Sequence, residues 1–117
     1  MYLTMFKSKI HRATVTDANL AYEGSLELDP ILMKAANIIE GEKVQVVNVA
    51  NGERFETYTI AGKKGSGTVC LNGPAARLGQ VGDVVIVITY ILLSPREAAK
   101  HQPTIVKVDK KNRIIKS

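Results

Sequence analysis

The chain has 117 residues, of which 45% are hydrophobic and 5% aromatic, and its formal net charge is +5. This length suits one domain, and the Val- and Ile-rich composition favours a compact sheet or barrel and argues against disorder. No apolar run is as long as a membrane span. The basic excess fits nucleic acid, an anionic small substrate or a solvated surface, so charge alone does not choose a partner.

The first residues do not resemble a secretion signal, because Lys7, Lys9 and Arg12 interrupt any long apolar region. A single cysteine, Cys70, cannot form an internal disulfide and is typical of a reducing compartment. Because it lies between two apolar residues, we expect a buried thiol. These features predict a cytoplasmic protein.

The first half of the chain predicts strands, one helix and one hairpin. In chain order, these elements are a strand over 2–15 with a bend near Ser8, a loop over 16–25, a strand over 25–28, a helix from Pro30 to about Asn37, and strands over 43–49 and 54–61. The helix is expected because Asp29 is a favoured N-cap and Pro30 suits the first helical position. Asn51-Gly52 is a strong signal for a hairpin between the last two strands.

The second half predicts shorter elements. They are a glycine-rich loop over 62–67, a strand over 68–71, a helical turn over 75–78, a strand over 84–92, a helix from Pro95 to about His101, and strands over 104–108 and 113–115. Ser94 before Pro95, with Glu97 in the first turn, is the pattern of a capped helix start.

An internal similarity links the two halves. Residues 41–47 and 82–88 both read glycine, acid and then a β-rich run, and each follows a segment that contains an Ala-Ala pair. Two such units suggest a pseudo-twofold barrel. The alternative is that Gly-acid turns commonly precede strands, without any duplication.

The pair Gly24-Ser25 carries the candidate chemistry. Glycine allows a strained backbone, and the Ser25 hydroxyl is one five-membered ring away from the Gly24 carbonyl carbon. Attack on that carbon would move the acyl group from nitrogen to oxygen, and β-elimination of the ester would leave a ketone-bearing pyruvoyl group. Most Gly-Ser pairs are plain turns, so the pair by itself is a weak signal.

Other site classes find no support. His11 and His101 are isolated, which predicts no metal site, and Ser25 does not lie in a nucleophile elbow. The glycines at 62–67 precede a strand, so they do not predict a phosphate-binding loop that opens a helix.

A pyruvoyl site would need a cation for a substrate carboxylate and a proton donor for the carbanion. Arg54 and Tyr58 share one face of a predicted strand and are candidates for these roles, and Lys9 and His11 share a face of the first strand. The alternatives are an ordinary amphipathic strand residue for Tyr58 and a charge at a hairpin end for Arg54.

Four ordered motifs resemble the aspartate 1-decarboxylase family, over about residues 5–108. They are Lys9-Ile10-His11-Arg12-Ala13, Tyr22-Glu23-Gly24-Ser25, Asn51-Gly52-Glu53-Arg54-Phe55-Glu56-Thr57-Tyr58, and Asn72-Gly73 followed by Ala75-Ala76. The resemblance implies a mainly β, double-psi β-barrel fold with a few short helices. It also implies one domain, 1–117, that assembles as a homotetramer and cleaves itself into a β chain, 1–24, and an α chain, 25–117.

The resemblance further implies a pyruvoyl cofactor, derived from Ser25, that forms a Schiff base with L-aspartate and releases CO2 and β-alanine for pantothenate synthesis. The implied catalytic residues are Ser25 and Tyr58, the latter as proton donor to the carbanion, and the self-processing residues are Gly24, Ser25 and Thr57, the last as donor to the Gly24 carbonyl. The implied substrate-binding residues are Lys9, Arg54, Thr57, Asn72, Gly73, Pro74 and Ala75. Implied partners are the substrate and a candidate maturation factor, without metal, nucleic acid or membrane.

One position departs from the family pattern. Pro74 stands where the family usually has Ala, and proline has no N–H to donate. If substrate binding used that amide, affinity would fall. We favour the alternative, in which a neighbouring group binds and Pro74 stiffens the loop.

Two other functions remain open at this stage. A small basic barrel could bind duplex DNA, as swapped-hairpin regulators do, and would stay uncleaved and bind in a salt-dependent manner. A member of the decarboxylase fold that no longer processes itself could serve as a structural or regulatory subunit. The motifs around Ser25 and Tyr58 argue against both.

Overall fold

The structure is a computed structural model that describes residues 1–115. Its strands are β1 (Leu3–Thr14), β2 (Asp17–Asn19), β3 (Ser25–Leu28), β4 (Lys43–Asn48), β5 (Arg54–Ala61), β6 (Val69–Asn72), β7 (Val84–Leu93) and β8 (Thr104–Lys107). Its helices are α1 (Pro30–Ala35), α2 (Pro95–Lys100) and a 3-10 helix over Gly73–Arg77. The prediction of a mainly β protein with a few short helices is confirmed.

The strands form one sheet in the order β2-β6-β3-β5-β4-β7-β1-β8. Most neighbours are antiparallel, but β3 runs parallel to β5, β2 parallel to β6, and β1 parallel to β8. Strand β3 lies between β5 and β6; its first residue, Ser25, pairs with Asn72 on β6, and the pairing with β5 begins at Leu26.

The internal similarity corresponds to a local twofold arrangement. Strands β4 and β7 pair antiparallel, and Val46 pairs with Val87, its equivalent in the repeated segment. A twofold axis therefore passes between these two residues. Gly41 and Gly82, which open the two segments, have matching positive φ angles of 86° and 95°. This symmetry supports the interpretation of the similarity as a structural duplication.

The local signals for the helices are confirmed at their starts. Asp29 accepts a hydrogen bond from the Ile31 N–H at 2.9 Å, and Ser94 forms a capping box with Glu97. Helix α1 ends at Ala35, two residues before the predicted end, and Asn37 turns the chain with a φ of 58°.

Three predicted boundaries are corrected by the structure. The predicted loop over 16–25 contains β2, whose three residues are too few to show alternation in sequence and which forms by pairing with β6. Residues 113–115 do not form a strand, because they follow a tight turn at Asn112 and make one isolated bridge, from Ile114 to Val108. The predicted turn over 75–78 is a 3-10 helix that begins earlier, at Gly73.

A continuous apolar core fills the space between the strands. Its most deeply buried members are Ile10, Leu26, Leu28, Leu32, Val44, Val46, Leu71, Val85 and Val87. Inward and outward positions alternate along β5, where Thr59 is buried and Glu56 and Tyr58 are exposed. Within residues 1–115, no helix is long and apolar enough to cross a membrane.

Candidate active site around Ser25

Ser25 is the first residue of β3 and is only 1% exposed. It pairs with Asn72 on β6, and its neighbour Leu26 pairs with Leu71 on β6 and Thr59 on β5. Since Leu26 points into the core, Ser25 points to the opposite, outer face of the sheet. It is nevertheless buried, which means that other parts of the chain cover it.

Two hydrogen bonds hold the Ser25 hydroxyl. The Asn72 Nδ2 group donates to Ser25 Oγ at 3.1 Å, and the hydroxyl donates to the Glu23 carbonyl at 3.1 Å. The oxygen therefore accepts one hydrogen bond and donates one, and it keeps one lone pair free. The Ser25 hydroxyl is therefore buried and held in one orientation.

The segment Tyr22–Gly24 is in close contact with the start of the 3-10 helix. Gly73 has a φ of 64°, and a Cβ atom there would lie 2.7 Å from both Cα and N of Gly24 and 2.9 Å from the Tyr22 carbonyl oxygen. A Cβ atom on Gly24 would in turn lie 3.3 Å from Cδ of Pro74. Only glycine at position 73 permits this approach of the two backbones. The structure thus brings Gly24, Gly73 and Pro74 together.

The far end of the 3-10 helix is fixed by a buried amide. Asn48, which is 1% exposed, donates through Nδ2 to the Leu78 carbonyl at 3.1 Å and to Asp83 Oδ2 at 2.9 Å. The Asn48 hydrogen bond, with a second from the Gln80 N–H, holds the pKa of Asp83 below its ordinary value. This network keeps the helix in place over the start of β3.

The loop over 62–67 is tied to the start of α1 by Asp29. Its carboxylate, 2% exposed, accepts from the backbone N–H groups of Ile31, Gly65 and Gly67. Burial raises the pKa of Asp29, but these hydrogen bonds, together with the charge of Arg113, outweigh burial and leave the pKa below its ordinary value. Asp29 therefore stabilises the fold as an ionised group.

Tyr58 and Arg54 lie on the outer face of β5, as predicted. The β3–β5 register, extended by one residue from the pair Leu26–Thr59, brings Tyr58 opposite Ser25 on that face. Tyr58 is 41% exposed. Arg54 donates through Nη1 to Gln45 Oε1 at 2.9 Å, and no contact joins it to Ser25 in the described part of the chain.

The remaining predicted residues are placed differently. Thr57 lies on β5, two residues before Thr59, the partner of Leu26, and it makes no side-chain hydrogen bond within residues 1–115. Lys9 is on β1, four strands from β3, with its Nζ atom 4.7 Å from the centre of the Phe6 ring. Ala75 is buried in the 3-10 helix. The roles given to these residues stay predictions.

Two side chains next to the site were given no role in the site from the sequence. Gln45 accepts hydrogen bonds from Arg54 and, at 2.6 Å, from the Tyr90 hydroxyl. The Cys70 thiol, buried as expected, donates to Asn72 Oδ1 at 3.2 Å. The signal for Cys70 was its spacing, since residues two apart on a strand share a face. Among residues 1–115, no group of three or more His, Cys, Asp or Glu side chains could hold a metal ion.

The fold has a counterpart among solved structures. The crystal structure of a rationally designed protein, mkDPBB_sym_86, matches with a TM-score of 0.50 over 69% of this chain and 94% of the designed chain, at 14% sequence identity. The designed protein is a double-psi β-barrel (DPBB), and the present chain has the same fold. The fold predicted from the resemblance is therefore confirmed.

Sequence comparisons identify the family. A family model described as aspartate decarboxylase matches residues 1–115. Aspartate 1-decarboxylase of Caldicellulosiruptor bescii is 62% identical over 99% of this chain and 91% of that protein, and the same-named protein of Clostridium botulinum is 59% identical over the same shares. From this family match and these relatives, this chain belongs to the aspartate decarboxylase family.

Proposed function

We propose that this protein decarboxylates L-aspartate to β-alanine and CO2, for pantothenate synthesis, after it has cleaved itself between Gly24 and Ser25. Membership of the aspartate decarboxylase family supports the reaction. The observation that carries the self-processing step is the buried Ser25 hydroxyl, fixed between the Asn72 amide and the Glu23 carbonyl. The products of cleavage are a chain of residues 1–24 and a chain of residues 25–117.

Self-cleavage begins with attack of Ser25 Oγ on the Gly24 carbonyl carbon. The new C–O bond replaces the C–N bond, and the hydroxyl proton passes to the amine nitrogen of Ser25, giving an ester. Loss of the Ser25 α-proton and cleavage of the Cβ–Oγ bond then release the Gly24 carboxylate. Hydrolysis of the resulting dehydroalanine by water releases ammonia and leaves the pyruvoyl group at the start of the longer chain.

Each residue around Ser25 has a role that its position supports. The Asn72 Nδ2–H faces the oxygen that first loses a proton and later leaves as a carboxylate, so it stabilises negative charge in both steps. Thr57, on the neighbouring strand β5, is assigned to the carbonyl oxygen that becomes negative during attack. Gly73 fixes the position of the Gly24 backbone by direct contact.

The residues present fit a pyruvoyl group, because its parent serine is buried among uncharged partners and makes no ion pair. When formed, this group supplies a ketone that binds the substrate amine and accepts the electron pair left by CO2. Tyr58, opposite Ser25 on the outer face, is placed to return a proton to the substrate carbon. Arg54, four residues earlier on the same face, is assigned to the substrate carboxylate, as is Lys9. Asn72 and the segment 73–75 complete the pocket.

A homotetramer would complete this site. Lys9 lies on β1 and Ser25 on β3, which are four strands apart in the sheet order and do not pair with each other. The outer face also carries exposed apolar residues, among them Tyr58, Tyr90 and Leu92. Packing of a second copy against this face would bury them and could supply a second set of cations to each Ser25.

We also place the enzyme in the cytoplasm, where the buried free Cys70 would stay reduced. Cleavage of the purified precursor tests whether a maturation factor takes part. Purified precursor that cleaves on warming needs no factor, whereas precursor that cleaves only when cell extract is added does need one.

The experiment that tests this proposal compares two variants in the same preparation. S25A removes the nucleophile, so intact mass should show one uncleaved chain, and an aspartate assay should show no β-alanine. Y58F keeps Ser25 and its two hydrogen bonds, so cleavage should proceed while turnover falls by at least about 100-fold, the lower range of general acid catalysis. Decarboxylation by S25A would overturn the proposal, and full turnover by Y58F would overturn the role of Tyr58.

A further inference from the structure

The Ser25 hydroxyl is one member of a buried chain of hydrogen bonds that begins at Cys70. The Cys70 thiol donates to Asn72 Oδ1 at 3.2 Å, Asn72 Nδ2 donates to Ser25 Oγ at 3.1 Å, and Ser25 donates to the Glu23 carbonyl at 3.1 Å. Cys70, Asn72 and Ser25 are 6%, 2% and 1% exposed. All donors in this chain point the same way, and the chain ends at the Glu23 carbonyl, in the peptide that precedes the one to be cleaved.

The thiol keeps its proton at neutral pH and can therefore act as the donor in this chain. Burial, and after it the charges of Asp17 and Glu27, raises the pKa of Cys70 to about 11, so the proton stays on sulfur at neutral pH. Cys70 and Asn72 are two residues apart on β6, on the outer face shared with Ser25. The contact is therefore built into the strand and does not depend on a flexible loop.

The orientation of the Asn72 amide decides whether its N–H group or its carbonyl oxygen faces Ser25 Oγ. A carboxamide has a donor side and an acceptor side, and rotation by 180° exchanges them. With the present orientation, an N–H faces Ser25 Oγ and stabilises charge as that oxygen loses its proton. With the reverse orientation, the lone pairs of the amide oxygen would face Ser25 Oγ and oppose the same charge. The Cys70 S–H favours the productive orientation, because it donates to Asn72 Oδ1 and its sulfur would be only a weak acceptor for a reversed amide N–H.

We propose that Cys70 is a positioning residue for self-cleavage, which holds the Asn72 amide so that its N–H group faces Ser25. This inference rests on the proposed self-processing of Gly24–Ser25. It assigns to the cysteine neither nucleophilic nor redox chemistry. It also makes Asn72 part of the processing machinery, beyond the substrate contact that the resemblance implies.

Three variants at position 70 separate hydrogen bonding from packing. C70S keeps a donor, C70A removes it with loss of volume, and C70V removes it with apolar bulk. Cleavage of each purified precursor is followed at fixed temperature by intact mass under denaturing conditions. We expect C70S to cleave within about twofold of wild type and both C70A and C70V to cleave about three- to tenfold more slowly, the range of one ordinary hydrogen bond. Thermal unfolding serves as the control, because buried Val stabilises a core where buried Ser does not. If Cys70 acted only through packing, C70V would therefore cleave faster and melt at a higher temperature than C70S.

A double-mutant cycle tests the path through Asn72. In an N72A background, the substitution C70V should slow cleavage no further, because the amide that Cys70 orients is gone. Equal cleavage rates for C70S and C70V, or the same slowing by C70V with and without Asn72, would overturn the inference while leaving the proposed function intact. Wild-type precursor that never cleaves between residues 24 and 25, even with cell extract, would overturn the self-processing and this inference with it.

Discussion

Gly73 is the position where one added methyl group should stop self-cleavage without removing any reacting atom. In G73A, the new Cβ would lie 2.7 Å from Cα and N of Gly24, whereas ordinary contact begins at 3.4 Å. The Gly24 backbone must then move by about 0.7 Å relative to Gly73. Gly24 carries the carbonyl that Ser25 attacks, and a misplacement of about 1 Å at a reacting centre can cost about 100-fold in rate. We expect cleavage to slow by 10- to 100-fold.

The matched control is G52A. Gly52 also has a positive φ, 77°, but a Cβ atom there would have nothing within 4 Å. Both variants therefore carry the cost of an L-residue in the left-handed region, about 1–2 kcal/mol, and only G73A adds the collision with Gly24.

Two assays compare G73A with G52A. Fragment formation, followed by intact mass under denaturing conditions, should be slow in G73A and close to the wild-type rate in G52A, while the melting temperature should fall in both. Equal cleavage rates in the two variants would refute the argument that contact with Gly73 sets the position of the scissile peptide.

Two further predictions concern neighbouring polar groups. Q45A removes the acceptor of the Arg54 guanidinium, so KM for aspartate should rise about three- to tenfold with the self-cleavage rate unchanged; an unchanged KM in steady-state kinetics would argue against a positioning role for Gln45. The pKa of Asp29 in the folded state lies below its ordinary value of 3.8, so its ionised form stabilises the fold above about pH 4 and this contribution is lost as pH falls through the folded-state pKa. D29N should therefore lower the melting temperature at pH 7 and lower it progressively less as the pH falls below 3.8, and a loss that stayed constant over that range would contradict this reasoning.

Local chemistry in the sequence predicted most elements of the fold. The Asp29 cap, the Ser94 capping box and the Asn51-Gly52 turn act over a few residues, and each is present as expected. The strand β2 could not be found in this way, because its three residues gain their conformation from pairing with β6, 50 or more positions along the chain. Sequence periodicity does not report such distant pairing.

The candidate site likewise has features that local sequence predicts and features that depend on distant segments of the chain. The alternation of β5 placed Arg54 and Tyr58 on one face from sequence alone, and the structure agrees. The contact between Gly24 and Gly73 depends on two segments nearly 50 residues apart, so no local pattern shows it. The two-residue spacing of Cys70 and Asn72 on a strand could have predicted the contact between them. Its significance depends on Ser25, which lies opposite Asn72 on the neighbouring strand.

Self-cleavage of the purified wild-type chain is the property that most directly tests the proposed chemistry of Ser25. Intact mass should be measured under denaturing conditions after warm incubation, with S25A as the control. We predict two fragments, residues 1–24 and a 93-residue remainder with a blocked N-terminus, in wild type, and a single intact chain in S25A. A single intact wild-type chain that neither added cell extract nor hydroxylamine can cleave would contradict the proposal, because hydroxylamine opens an ester and leaves an ordinary peptide bond untouched.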